Sequence, residues 1–349
     1  MSLLNELKAQ VKSAKKPITL VYAEGWNKDI QQAVSKVMTI TSHKIQPILI
    51  FRDEKEAKVS LPKQIKKVVI TKDNLEKYID AIYEARKLKG ISLTEAKDMA
   101  NKPFYLASAM VACGEADGEI CGIEFTTQDT IRGALQIVKP RPEVKTVCSA
   151  FIIEKGKQRL VMGDCAINLY PDAENLVSIV RSIAPFAVNV AGIKDPHIAL
   201  LSYSTAGSGK GESADKVRKA FDLLSLDEGF VKKYQVFGDL QFDAAYDVKV
   251  QKKKAKELTW NHPANVFVFP NIDAGNIGYK LAQRLGGYQA IGPVVLGLNK
   301  PVNDLSRGAT SEDVVMLSLI TATQTLKKSA KNTDFIKVLC TLIIFYFLI

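Results

Sequence analysis

The fold of this chain is decided by residues 18–51, which read ITLVYAEGWNKDIQQAVSKVMTITSHKIQPILIF. The apolar run Ile18–Tyr22 predicts a buried strand, and Ile45–Phe51 predicts a second one. Between them, apolar residues recur at helical spacing over residues 29–39. Two strands separated by a helix typically lie parallel in one sheet, with the helix packed on its face. The sequence therefore predicts an α/β protein.

The same alternation continues along the rest of the chain. Strands are predicted at residues 68–71, 147–154, 159–166, 198–204 and 266–269. Helices are predicted at residues 3–11, 74–88, 104–113, 172–187, 214–224 and 278–285. Pro and Gly interrupt the pattern at residues 139–142 (KPRP) and 292–303, where we expect the chain to cross between two α/β units.

The composition is that of an ordinary globular protein. The 349 residues are 47% hydrophobic and 24% charged, which excludes a disordered chain, a collagen and a multi-span membrane protein. Lys and Arg outnumber Asp and Glu by 48 to 37, for a net charge of +11. Such an excess is typical of proteins that bind nucleic acid, an anionic membrane or a small phosphate-bearing ligand.

The last residues of the sequence, 327–349, form an unusual tail. Four lysines precede the apolar run VLCTLIIFYFLI at residues 338–349. This run is too short to span a bilayer, which requires about 20 residues. The alternatives are a weak membrane-surface anchor, a segment packed on its own domain, and a disrupted reading frame. We expect no membrane contact through the tail.

Signals for metals, disulfides and covalent catalysis are weak. The five cysteines show no C-x-x-C spacing, so we expect reduced thiols and a cytoplasmic protein. The three histidines, His43, His197 and His262, stand in unrelated contexts, and no Gly-x-Ser-x-Gly elbow is present. The N-terminus lacks the apolar region of a signal peptide. We expect neither a metal nor a nucleophilic serine.

Three stretches place small residues and hydrogen-bond donors at the start of a predicted helix, where free N–H groups favour an anion. Residues 204–213 contain Ser204, Thr205 and Gly207. This stretch resembles a Walker A loop but lacks the Ser or Thr that follows Gly-Lys there. A tight turn between strand and helix is the alternative.

The other two stretches carry arginines. One consists of residues 117–122 (DGEICG) followed by residues 126–132, which begin with Thr126 and Thr127 and end with Arg132. The other, residues 303–313, contains Ser306, Arg307 and Asp313. An arginine supplies a fixed positive fork for a phosphate, and a neighbouring carboxylate is a candidate general base. Ordinary helix capping is the alternative in both stretches, with Thr310 or Ser311 as the cap of the last helix.

At these residues the sequence resembles the phosphate acetyltransferase (phosphotransacetylase) family. The resemblance covers about residues 1–325 and is densest over residues 238–245 (GDLQFDAA), 271–280 (NIDAGNIGYK) and 300–308 (KPVNDLSRG). It implies a reversible reaction in which acetyl-CoA and phosphate give acetyl phosphate and CoA.

The resemblance also implies an architecture. Family members have two three-layer α/β/α domains with mostly parallel sheets, similar to isocitrate and isopropylmalate dehydrogenases, and an interdomain cleft that holds the site. The C-terminal segment rejoins the first domain. We therefore expect residues 1–141 plus 303–326 to form one domain, residues 142–302 a second, and residues 327–349 an extra tail. The family implies a homodimer.

The same resemblance assigns roles to the candidate residues. Asp313 would be the general base for the CoA thiol, while Ser306 and Arg307 would bind phosphate and stabilise the oxyanion. Direct transfer in a ternary complex uses CoA as a substrate and requires no cofactor or metal. The expected substrate-binding residues are Arg132, Arg86, Thr126, Thr127, Ser204, Thr205, Gly207, Asn276, Tyr279 and Lys280.

The chain departs from the family at one notable position. Family members read Glu-Gly-x-Asp-x-Arg after the first strand, but residues 24–29 are EGWNKD, so Asp29 replaces the arginine. A contact with a CoA phosphate is then lost or moved to Lys28. A phosphate acyltransferase for butyryl or propionyl groups and a non-catalytic acetyl-CoA-sensing module are the alternatives. Nucleic-acid binding rests on net charge alone, and we expect no such partner.

Overall fold

A computed structural model describes residues 2–71, 75–258 and 260–326. Within these residues the strands are β1 (Ile18–Tyr22), β2 (Ile45–Phe51), β3 (Lys66–Val69), β4 (Gly118–Cys121), β5 (Cys148–Lys155), β6 (Gln158–Gly163), β7 (Ile198–Leu201), β8 (Val236–Leu240), β9 (Val266–Val268), β10 (Gln289–Leu296) and β11 (Val302–Asp304). The helices are α1 (Leu3–Lys12), α2 (Lys28–Ile40), α3 (Glu76–Arg86), α4 (Leu93–Ala100), α5 (Pro103–Ala112), α6 (Thr127–Gly133), α7 (Ala173–Asn189), α8 (Glu212–Ser225), α9 (Glu228–Tyr234), α10 (Phe242–Tyr246), α11 (Val248–Lys254), α12 (Ile272–Arg284) and α13 (Ser311–Leu326).

The first sheet is parallel throughout. Its strand order is β11-β4-β1-β2-β3. The predicted strand–helix–strand unit forms β1, α2 and β2, with Ile18 opposite Ile45 in the register. Parallel neighbours require crossover connections, so helices cover the faces of the sheet. β1 and β2 are almost entirely buried, which explains their continuous apolar sequences.

The second sheet is mixed. Its strand order is β10-β5-β6-β9-β7-β8. The pairs β10–β5 and β5–β6 are antiparallel, whereas β6, β9, β7 and β8 are parallel. β5 and β6 form a hairpin whose turn contains Gly156 at a φ of +60°. The predicted α/β fold with mostly parallel sheets is confirmed.

Two predicted strands end three residues earlier than expected. β7, predicted to residue 204, ends at Leu201, and β6, predicted to residue 166, ends at Gly163. The buried carboxylate of Asp164 accepts hydrogen bonds from the N–H groups of Ser149 (3.1 Å) and Asn168 (2.8 Å). These N–H groups are thereby satisfied by a side chain, and the chain turns instead of continuing the ladder.

The last strand and helix return to the first sheet. β11 pairs with β4, and α13 packs against α1, α2 and β4. Both elements also reach the second sheet. Asn303 accepts the N–H of Val295 at 2.9 Å, and Gln324 donates to the Val295 carbonyl at 3.1 Å. The last helix therefore packs on the first sheet and hydrogen-bonds to the second.

The two predicted crossing segments run side by side, since the N–H of Arg141 donates to the Gly297 carbonyl at 2.9 Å. The division into residues 1–141 plus 303–326 and residues 142–302 stays a prediction. The tail at residues 327–349 lies outside the described residues.

One apolar cluster contains side chains from both sheets. Leu3, Leu7 and Val11 of α1 are fully buried at the spacing of a single helix face. The cluster also contains Leu20 of β1 and Val161 of β6. Burying a leucine side chain contributes about 2 kcal/mol, so the buried face of α1 stabilises the packing of this cluster.

Candidate active site

Three loops meet at the carboxyl edge of the first sheet. β11, β4 and β1 are adjacent and parallel, so the segments that follow them leave the sheet at the same edge. Open α/β sheets bind ligands in the crevice outside the carboxyl ends of their strands. Two of the three predicted anion-binding stretches, residues 126–132 and 303–313, lie at this edge.

Glu24 organises the loop that follows β4. The residue lies two positions after β1 and is fully buried. Its carboxylate accepts the N–H groups of Gly122 (3.1 and 3.2 Å), Glu124 (2.8 Å) and Phe125 (2.9 Å). Burial raises the pKa of Glu24, and these hydrogen bonds oppose the shift. The carboxylate therefore positions the loop that leads into α6.

Asp304, the last residue of β11, connects this strand to α6. It is 2% exposed, and its Oδ2 accepts a hydrogen bond from the Thr127 hydroxyl at 2.6 Å. Its Oδ1 has no partner among the described residues. Burial raises the pKa of Asp304 to about 6, opposed by the hydroxyls of Thr127 and Thr130. Carboxyl groups that titrate near neutral pH are frequent at functional sites.

Gly122 permits the loops after β4 and β11 to approach each other. Its φ is +107°, and a Cβ here would collide with Asp304 Oδ1 and lie 2.7 Å from the Leu305 carbonyl oxygen. Both the backbone conformation and the close contact require glycine. The Leu305 N–H donates to the Cys121 carbonyl at 2.7 Å. The segment containing Ser306 therefore begins beside the end of β4.

Two of the predicted catalytic residues, Ser306 and Arg307, lie in the loop after β11. Both are exposed. The Ser306 Oγ accepts the N–H of Gly308 at 3.3 Å, which supports the turn. Within residues 2–71, 75–258 and 260–326, the guanidinium of Arg307 makes no hydrogen bond or ion pair, so its five donors are available to a ligand.

The third predicted catalytic residue, Asp313, lies in the first turn of α13. Its Oδ2 accepts hydrogen bonds from the N–H (2.9 Å) and the hydroxyl (2.8 Å) of Thr310. In return, the Thr310 Oγ1 accepts the N–H of Asp313 at 3.3 Å. This reciprocal pair is a capping box, so the capping role expected for Thr310 is confirmed. The two bonds orient the carboxylate and leave Oδ1 for other contacts.

Arg86 and Arg132 line one open cavity of about 430 Å³. Arg86 ends α3, and Arg132 lies in the last turn of α6. No acidic side chain lines the cavity within the described residues, and the acid nearest to Arg132 is Asp129 at 3.6 Å. The Arg86 Nε is buried without a partner in the same part of the chain. The other lining residues are Gln128, Ile131, Leu135 and Gln136.

The loop after β7 is closed by its own hydrogen bonds. Ser204 and Thr205 are buried, and the Ser204 Oγ accepts the N–H of Gly209 at 2.9 Å. The N–H of Gly207 donates to Asp239 Oδ1 at 3.3 Å. Several backbone donors that a phosphate would use are therefore already occupied. A substrate contact through Ser204, Thr205 or Gly207 stays a prediction.

Asn276, Tyr279 and Lys280 lie on α12, beside the second sheet. Asn276 Nδ2 donates to the Cys165 carbonyl at 3.3 Å, and Tyr279 stacks on Phe151 with ring centroids 4.0 Å apart. Lys280 Nζ lies 5.9 Å from the Tyr279 ring. Among the described residues, no hydrogen bond or ion pair joins these side chains to the loop after β11. Their substrate-binding role stays a prediction.

His197 and His262 are in contact, although the sequence placed them in unrelated contexts. Their ring centroids are 3.8 Å apart. His197 precedes β7 and His262 precedes β9, and these two strands are neighbours in the second sheet. Burial lowers the pKa of His197, and the charge of His262 adds to this effect. In the described ranges there is no group of three or more metal-ligating side chains. Nor do these ranges contain a helix long and apolar enough to cross a membrane.

Sequence reasoning missed Glu24, Asp304 and Gln136 as parts of the site. Asp304 carried one usable signal, an acidic residue at the end of a buried strand. Gln136 carried none, since a glutamine in a helical stretch is ordinary. The structure brings Thr127 against Asp304 and places Arg86 beside Arg132 in one cavity.

Comparisons with known proteins identify the family of the chain. A family model described as "Phosphate acetyl/butaryl transferase" matches residues 2–322. A phosphate acetyltransferase from Mycoplasma pneumoniae is 45% identical over 327 residues, covering 94% of this chain and 100% of the relative. One from Bacillus subtilis is 39% identical over 326 residues, covering 91% and 98%. A phosphotransacetylase crystal structure from Streptococcus pyogenes matches with a TM-score of 0.85 at 35% identity, covering 94% and 100%. The chain belongs to the phosphate acetyl/butyryl transferase family and is an acyltransferase.

Proposed function

We propose that the protein is a phosphate acetyltransferase, which transfers an acetyl group between CoA and inorganic phosphate. The observation that carries the proposal is the cavity between Arg86 and Arg132, in a chain whose full-length relatives are named phosphate acetyltransferase. Phosphate, acetyl phosphate and CoA are all anions, and a cavity with two arginines and no acidic lining among the described residues favours them. Arg307, at the same sheet edge, adds a third positive group.

In the proposed mechanism, the CoA thiol attacks acetyl phosphate directly. Asp313 takes the thiol proton, because a thiol of pKa about 8.5 is mostly protonated at neutral pH. The thiolate forms a bond to the acetyl carbon, and the resulting oxyanion is stabilised by Arg307 and the Ser306 hydroxyl. The carbon–oxygen bond to phosphate then breaks, and phosphate leaves. The capping hydrogen bonds from Thr310 hold the base in one orientation.

The unusual residue Asp29 has a local structural explanation. Asn27 caps α2, and its side chain accepts the N–H of Asp29 at 2.9 Å. Asp29 therefore lies in the first turn of α2, where the helix dipole favours an acidic side chain. Lys28, which is exposed in the same turn, is the residue we propose for a CoA phosphate contact.

The central experiment is a turnover assay with purified protein. Acetyl phosphate and CoA are mixed, and formation of the thioester is followed by its absorbance. Turnover is expected without added metal. Binding of acetyl-CoA without any turnover would instead support the non-catalytic sensing module and contradict the proposal.

Acyl-chain preference requires a separate comparison. Acetyl-, propionyl- and butyryl-CoA are compared by kcat/KM in the phosphate-dependent direction. We expect the highest value for acetyl-CoA, and one methylene is worth about 10–200-fold in such pockets. A higher value for butyryl-CoA would assign the protein to the longer-chain alternative.

We also propose that the protein is a cytoplasmic homodimer that uses the exposed apolar face of α12. Ile277, Leu281 and Leu285 follow one another at intervals of four residues, on one helix face, and each is more than half exposed. A stripe of large apolar side chains is typical of an interaction surface. The family resemblance makes a second copy of the chain its occupant.

A further inference from the structure

The cavity between Arg86 and Arg132 is built largely by a single helical face. α6 runs directly into a π-helical turn, Ala134–Val138. The lining residues contributed by these two elements are Gln128, Ile131, Arg132, Leu135 and Gln136. They recur at intervals of three or four residues, which is the spacing of one face. π-Helical turns are rare and are frequently found at functional sites.

The amide of Gln136 is held in a defined orientation by Tyr105. The Tyr105 hydroxyl, on a side chain that is 5% exposed, donates to Gln136 Oε1 at 2.8 Å. Because Oε1 is the acceptor, the two N–H donors of Nε2 point away from Tyr105. They have no hydrogen-bond partner within the part of the chain that the structure describes, although Gln136 itself lines the cavity.

Tyr105 remains a donor across the working pH range. Burial raises the pKa of its hydroxyl, and the charges of Arg132 and Arg86 oppose that shift. Gln136, Arg86 and Arg132 also line the same cavity. One neutral donor and two cationic donors thus surround the same space.

We propose that Gln136 is a further substrate-binding residue, which donates a hydrogen bond from Nε2 to the phosphate group held between Arg86 and Arg132, and that Tyr105 is its positioning residue. The inference rests on the proposed function. The phosphate belongs either to acetyl phosphate and inorganic phosphate or to the CoA molecule. The chemistry that Gln136 recognises is the same in both cases.

The kinetic test uses Gln136→Ala, with Gln64→Ala as a matched control. Gln64 is exposed and lines a different cavity. A hydrogen bond to a charged group is worth about 1.5–3 kcal/mol, so the KM of the substrate that carries the bound phosphate should rise about tenfold or more. The control should keep wild-type KM values.

Three KM measurements identify the phosphate. A rise for acetyl phosphate alone assigns the reacting phosphate. A rise for CoA but not for dephospho-CoA assigns the 3′-phosphate of CoA, and a rise for both assigns its diphosphate. If a folded Gln136→Ala protein changes none of these values by more than twofold, the proposal is wrong.

A double-mutant cycle tests the positioning role of Tyr105. Tyr105→Phe should raise the same KM as Gln136→Ala, by a smaller factor, with kcat nearly unchanged. In the double variant the two effects should not multiply, because Tyr105 acts through Gln136. Effects that multiply fully would remove the positioning role.

A ligand-binding measurement tests the role of Gln136 independently of turnover. The thermal stabilisation of wild-type and Gln136→Ala protein by inorganic phosphate, and separately by CoA, is measured without the second substrate. A smaller stabilisation of the variant by either ligand supports the inference even if no acetyl transfer occurs. Equal stabilisation by both ligands would overturn it, whatever the outcome of the turnover assay.

Discussion

Replacing Asp304 by asparagine should make the protein more stable above pH 6. Asp304 is 2% exposed, its Oδ1 has no partner within the described residues, and burial raises its pKa to about 6. An asparagine oxygen can still accept the hydrogen bond from the Thr127 hydroxyl. The substitution therefore removes the buried charge and keeps the contact.

The magnitude follows from the pKa. An aspartate in the unfolded chain titrates near 3.9, so the folded value of about 6 is raised by about two units, or about 3 kcal/mol. Because the folded pKa is the higher one, the folded protein binds the proton more tightly. Stability is therefore lost as the pH rises from about 4 through 6. The asparagine side chain of the Asp304→Asn variant has no proton to lose and escapes this cost.

The assay is urea unfolding of wild-type protein and Asp304→Asn between pH 4 and pH 8. The difference in unfolding free energy between them should change by about 2–3 kcal/mol in favour of the variant over this range. Subtracting one protein from the other cancels groups common to both. Asp222→Asn, at an exposed position of α8, should show no comparable trend. If the difference stays constant within about 0.5 kcal/mol, the charge of Asp304 is not buried as described.

Four further predictions concern separate parts of the molecule. Asp313→Asn should lower kcat by about 10²–10⁴, and a wild-type rate would contradict its role as the base. Thr310→Ala removes the hydroxyl that contacts Asp313 but keeps the backbone N–H, so it should cost about 1 kcal/mol of stability and lower kcat much less than Asp313→Asn. Arg132→Gln should raise KM for an anionic substrate more than it lowers kcat, and an unchanged KM for both substrates would contradict its role. Leu281→Asp should convert the dimer to a monomer, which light scattering measures as a halved mass. An unchanged mass would exclude the α12 face as the dimer interface. Burial raises the pKa of Glu119 to about 8. As the pH rises from 5 to 9, Glu119→Gln should therefore become increasingly more stable than wild type. Parallel profiles of unfolding free energy against pH for the two proteins would refute this.

Part of the first sheet could be located from the sequence because burial leaves a local signature, but β4 and β11 were not predicted as strands, since each is only three or four residues long. β1 and β2 occupy the residues that their apolar runs predicted. The strand order β11-β4-β1-β2-β3 has no such signature, since parallel neighbours are selected by crossover helices and tertiary packing. The end of β6 at Gly163 could not be predicted from the sequence either. It depends on the side chain of Asp164, which accepts a backbone hydrogen bond from the neighbouring strand β5.

The candidate site also contains some residues that the sequence could indicate and others that it could not. Ser306, Arg307 and Asp313 could be proposed because they are close in the sequence and suit one chemistry. The carboxylate of Glu24 could not, since its three N–H partners lie about 100 residues away. The phosphate-loop interpretation of residues 204–213 depended on free backbone donors. The structure shows that side chains of the same loop and of Asp239 occupy several of them.

The hydrogen bond between the buried Asp304 and the exposed Thr127 links the two positive parts of the site. Thr127 begins α6 and precedes Arg132 by five residues, whereas Asp304 ends β11 and precedes Arg307 by three. A short bond between a strand end and a helix start therefore constrains how far apart the two arginines lie. Asparagine would make a weaker neutral bond at this position, because charged acceptors form the stronger hydrogen bonds. An aspartate here lowers the stability of the folded protein by about 3 kcal/mol above pH 6. We infer that this loss is tolerated because the charged side chain couples α6 to β11 more tightly.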